Sequence, residues 1–117
     1  KQLIVALHNN TDGEPLSIFT YKNGNQAKNA AEVYINSQKD PDDFFLTTEQ
    51  TLFDFLKRKE FNVILQNNKQ VEDDGSLSVY TAKKNIPYIN VEVQMGHLAE
   101  QKKMINAVLD LIREKYL

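Results

Sequence analysis

The chain has 117 residues, the size of one domain, and its 41% hydrophobic and 26% charged residues suit a single core that forms without staples. It contains no cysteine, which excludes a disulfide scaffold, a thiolate zinc site and a cysteine nucleophile. A net charge of -2 supplies no basic field for a phosphate backbone, so nucleic acid is not an expected partner, and no apolar run approaches the roughly 20 residues of a membrane span.

Leu3 to His8 is an apolar run of strand length, expected as a central strand covered on both faces. The chain opens on it without a Met, from which we expect further chain upstream. Asn9 to Pro15 is turn-forming. Leu16 to Tyr21, with β-branched and aromatic residues, predicts a short strand or edge ribbon. Ala27 to Ile35 fits a short helix or an irregular strand. A turn at Asp40-Pro41-Asp42-Asp43 precedes the apolar Phe44-Phe45-Leu46. Thr47 with Gln50 has capping-box spacing, and predicts a helix with Leu52, Phe53, Phe55 and Leu56 on its apolar face.

Phe61 to Gln66 predicts the next strand and Asn67 to Gly75 a surface loop. Ser76 caps a short helix to about Lys84, with Leu77, Tyr80 and Ala82 expected inward. Asn85-Ile86-Pro87 breaks it, and Tyr88 to Val93 is a strongly β-branched strand. After Gly96, Leu98, Met104, Ile105, Val108, Leu109 and Ile112 give one apolar helical face. The alternation of strands and helices predicts a three-layer α/β fold over residues 1–117, with a mostly parallel or mixed central sheet flanked by helices. Ligands in such sheets sit at the carboxyl ends of the strands.

Two polar residues interrupt the strongest strands. His8 ends the first run, and Glu92 lies inside the last. A carboxylate there is costly unless it is paired, hydrogen-bonded or facing a cleft. Imidazole is the commonest metal ligand, and a carboxylate beside a metal-bound water is the usual base in metal-assisted hydrolysis. Neighbouring parallel strands would bring both to one cleft; otherwise His8 is a core histidine and Glu92 a structural pair partner. Ser76 and Ser78 have no adjacent histidine to activate them. His97 suits the start of the last helix. Asp12, Asp73 and Asp74 are possible oxygen ligands without the spacing of a calcium loop. Asp42-Asp43 and Glu72-Asp73-Asp74 are expected on solvated faces.

The order His8-Asn9-Asn10-Thr11, then Gly75-Ser76 with Tyr80, then the strand carrying Glu92, resembles the second half of the zinc-dependent exopeptidase and amidase superfamily. Both the zinc carboxypeptidase and the aspartoacylase-like branches are represented. The resemblance implies that His8 is the last of three zinc ligands and Glu92 the catalytic carboxylate. Asn9, Asn10 and Tyr80 then orient a peptide or acyl-amino-acid substrate. Two departures stand out. Gln94 occupies the place of the carboxypeptidase arginine, and the family's first two ligands would precede Lys1. With only two histidines, His8 and His97, the chain supplies an incomplete zinc site. The implied protein is the C-terminal part of a larger amide hydrolase; the alternative is a non-catalytic α/β binding domain.

Overall fold

The computed structural model describes residues 2–11 and 16–117. Five strands form one mixed sheet: β1 (Ile4–Asn10), β2 (Ala30–Tyr34), β3 (Phe44–Thr47), β4 (Val63–Gln66) and β5 (Tyr88–Gln94). Their spatial order is β1-β5-β3-β4-β2. β1 and β5 are parallel, as are β3 and β4, whereas β5 with β3 and β4 with β2 are antiparallel. Among the described residues four α-helices complete the α/β fold: α1 (Ile18–Lys22), α2 (Gln50–Arg58), α3 (Leu77–Lys83) and α4 (Leu98–Lys115).

Strand alternation divides the core in two. Phe45, Val63, Leu65, Ile89, Val91 and Val93 meet α2 and α4 on one face. Phe45 and Phe61 pack edge to face there, 5.4 Å between ring centroids, the arrangement their quadrupoles favour. On the opposite face Phe44, Leu46, Ile64 and Tyr88 cluster with Ile18 of α1. Helix α4 turns Met104, Ala107, Val108 and Leu111 inward. Its buried stripe therefore lies one position away from the expected one at several places, and Leu98 and Leu109 remain exposed.

Several local expectations are corrected. Leu16–Tyr21 contributes a helix instead of a strand, because Ser17 and Thr20 form a reciprocal capping box at the start of α1, a motif worth about 1 kcal/mol. Residues 27–35 split between a 3-10 turn over Ala27–Asn29 and β2. Thr47 does not cap α2: it belongs to β3 and its Oγ1 donates to the Tyr88 carbonyl at 2.8 Å, leaving Glu49 at the cap. In α3, Val79 and Thr81 are buried while Leu77 and Tyr80 are exposed. That helix stops where Asn85 enters the left-handed region (φ 56) and the Ile86 N–H closes back on the Thr81 carbonyl, before Pro87 blocks continuation.

Two corrections bear on the site. β1 is an edge strand, not a central one. Val5 and Leu7 share the face of Ile89 and Val91 by register but are exposed. Asp42 and Asp43, expected on a solvated face, are buried. Asp43 Oδ1 accepts the Gln94 N–H at 2.8 Å, and its Oδ2 lies 2.9 Å from His97 Nδ1. The buried carboxylate thus ties the start of β3 to the β5–α4 turn. Gly96 makes that turn possible with φ 96, a conformation L residues avoid.

Candidate functional site

His8 and Glu92 are direct register partners on the parallel neighbours β1 and β5. Both lie on the sheet face of Ala6, Asn90 and Tyr88, since side chains alternate along each strand. His8 Nδ1 stands 3.5 Å from Glu92 Oε2, with the imidazole half exposed and the carboxylate side chain 10% exposed. The two residues converge at the carboxyl ends of their strands.

Asn90 organises the pair. Its Nδ2 donates to Glu92 Oε2 at 3.1 Å, and a carboxylate oxygen can receive only a donor, so the amide oxygen must face the other way. That oxygen lies 2.6 Å from His8 Nδ1. An amide oxygen only accepts, so neutral His8 carries its hydrogen on Nδ1 and keeps the lone pair on Nε2. The ring is thereby presented with Nε2 available for a proton or a metal. On the other side of Glu92, Asn10 Nδ2 lies 3.5 Å from Oε1 while making its shorter bond, 2.7 Å, to the Asp42 carbonyl. The burial cost of the carboxylate is offset by neutral amide donors rather than by a lysine or arginine.

The remaining sequence candidates separate into those near the pair and those away from it. Asn10 is buried beside Glu92. Asn9 is exposed and donates to the Val93 carbonyl at 3.3 Å, an odd-numbered position on the other face. Tyr80 is exposed on α3 with Lys84 over its ring, outside the cavity described below. His97 is engaged with Asp43. Asp73 pairs with Lys83, and Asp74 Oδ1 accepts the Ser76 N–H at 2.9 Å. Asp12 lies outside the described residues.

A cavity of about 330 Å³ adjoins the pair, near the lower end of the size of small-molecule pockets. Ala6, Leu46, Tyr88 and Asn90 lie in its wall on the sheet, Tyr21 on α1, and Ser76 and Ser78 at the start of α3. His8 also lines it. Tyr21 and Tyr88 have phenol pKa values raised above the ordinary tyrosine value, first by burial and then by the negative charge of Glu92, with Asp74 adding to the effect at Tyr21. Both phenols therefore stay neutral across the physiological range.

Among the described residues, no group of three or more His, Cys, Asp or Glu side chains lies close enough to hold a metal ion. A catalytic zinc takes three protein ligands, so His8 and Glu92 do not by themselves form its site. Two buried amide oxygens, Asn10 Oδ1 and Gln94 Oε1, have no donor among the described residues. They belong to register partners just beyond His8 and Glu92, and they make this end of the sheet receptive to a hydrogen-bond donor from outside.

Sequence reasoning missed Asn90, Tyr21 and Asp43. Asn90 carried a signal: it alternates with Tyr88 and Glu92, so all three must share a face. Tyr21 and Asp43 carried none, since only the tertiary fold brings them to β5. Among known proteins, no family model matches this chain, and no match was found among curated proteins or solved structures.

Proposed function

We propose that this chain is the portion of an amide or peptide hydrolase that carries the proton-transferring carboxylate, Glu92, and one metal-binding imidazole, His8. The observation that supports it is the 3.5 Å approach of His8 Nδ1 to Glu92 Oε2 across two parallel strands, beside a cavity able to receive a substrate group. In this reading Glu92 accepts a proton from the attacking water and returns it to the leaving amine, the two roles a general base and acid play in amide cleavage. Asn90 is a positioning residue: it fixes one carboxylate oxygen and the His8 tautomer together. The described residues do not complete a zinc site, so the reading requires further ligands from elsewhere.

The test is zinc stoichiometry and amide hydrolysis measured on the intact protein. Glu92→Gln is expected to abolish turnover and leave metal content unchanged, whereas His8→Ala lowers metal content. Undiminished turnover in Glu92→Gln would sink the assignment.

A second reading is a non-catalytic binding domain. It is favoured by the neutral-amide shell around Glu92, which satisfies the carboxylate without any substrate. It predicts no hydrolysis and no bound metal in any length of the protein.

A further inference from the structure

We infer that the cavity between α1 and the start of α3 receives a cationic group, the ammonium or guanidinium end of a lysine- or arginine-like side chain. The word substrate for that ligand rests on the hydrolase reading above; the binding claim does not.

The charge around the cavity favours a cation. None of the residues lining the cavity is a lysine or arginine, while Asp74 lies on its wall. The two arginines of the chain, Arg58 and Arg113, belong to α2 and α4, whose buried residues pack on the opposite face of the sheet. Among the lining residues the one group able to carry positive charge is the His8 imidazole, which stands beside the Glu92 carboxylate. The consecutive carboxylates Glu72, Asp73 and Asp74 differ in a telling way. Glu72 is paired with Lys28 and Asp73 with Lys83. Asp74, the one that lines the cavity, is exposed and makes no ion pair among the described residues; its carboxylate accepts from the hydroxyl and the N–H of Ser76.

The hydrogen-bonding groups favour the same ligand. An ammonium or guanidinium offers only donors, and the cavity is rich in acceptors. The Gln66 amide uses its nitrogen on Ser78 and Asn68, and Ser76 and Ser78 hydroxyls share one contact. The Tyr21 and Tyr88 rings add aromatic surface on which a cation or its methylene stem can rest. The field of Glu92 and Asp74 that raises the Tyr21 phenol acts on a bound cation with the opposite, favourable sign.

The test is equilibrium binding of Nα-acetyl-lysine amide and Nα-acetyl-arginine amide to the purified chain, read by chemical-shift changes of the Tyr21, Ser76 and Asn90 amides. Nα-acetyl-norleucine amide and Nα-acetyl-glutamate amide serve as neutral and anionic comparisons. The basic ligands are expected to bind about tenfold more tightly than norleucine. Asp74→Asn keeps the oxygen that accepts from Ser76 and removes only the charge, so it should erase that preference without unfolding the protein. Equal binding of norleucine, tighter binding of glutamate, or shifts confined to another surface would each overturn the proposal. If basic ligands bind as expected and the intact protein cleaves no amide, the hydrolase reading fails and the cavity assignment stands. If amides are cleaved but basic ligands show no preference, the reverse holds.

Discussion

Asn90 and Glu92, two residues apart on β5, are joined by a 3.1 Å hydrogen bond that selects which carboxylate oxygen faces His8. The same amide accepts from the imidazole, so one neutral side chain sets the geometry of both ionisable groups. Asn90→Ala removes a donor from a buried carboxylate and is expected to cost about 1–3 kcal/mol of stability. In a Glu92→Gln background the loss should be smaller, because a neutral amide needs that donor less. Denaturant unfolding of the two single variants and the double variant measures the coupling; strictly additive losses would show that Asn90 does not serve Glu92.

The raised phenols of Tyr21 and Tyr88 make a prediction at alkaline pH. A group whose folded pKa is raised stabilises the fold fully below its unfolded pKa of about 10, and that contribution is lost as pH rises through the folded value. Stability should therefore fall steeply above about pH 10. Tyr21→Phe and Tyr88→Phe should each flatten this alkaline arm. Ultraviolet titration of tyrosinate absorbance checks it directly: in the folded protein both phenols ionise later than in the unfolded chain.

Asp43 is buried with two partners, the Gln94 N–H and His97. Asp43→Ala strands the backbone donor and is expected to cost about 1.5–3 kcal/mol. His97→Ala should cost less, since the imidazole is one-third exposed. Thermal unfolding of the two variants ranks them; the reverse order would mean that the histidine, not the carboxylate, anchors the turn.

Leu7 and Val91 are register partners on the same face, yet Leu7 is 55% exposed and Val91 0%. Leu7→Lys should change stability by no more than about 0.5 kcal/mol, whereas Val91→Ala costs about 2 kcal/mol or more. A large loss for Leu7→Lys would place another element over β1.

The α/β architecture was legible because each strong strand and the long last helix carried its own period. The edge position of β1 was not. An unbroken apolar run such as Ile4-Val5-Ala6-Leu7 has the composition of a central strand, and only the sheet order shows that α2 and α4 do not reach it. Thr47 illustrates the same limit: its spacing to Gln50 satisfied a capping pattern, but pairing with β5 captured the hydroxyl first. His8 and Glu92 were legible as polar interruptions of apolar strands. Their partners were not, because Asn90 reads as an ordinary strand residue and Asp43 as a turn acid until the sheet brings them together.

The pairing of the first strand with the last has a consequence for how the molecule is made. His8 and Asn90 are separated by 82 positions. At about 5–20 residues per second, ribosomal synthesis keeps His8 waiting on the order of ten seconds before its neighbour exists. Throughout that interval β1 has no companion, since its one partner among the described strands is β5. The imidazole–carboxylate pair is therefore among the final features to form during biogenesis, and a nascent chain stalled before Tyr88 presents Ile4 to Leu7 as an unclaimed sticky ribbon for a chaperone to guard.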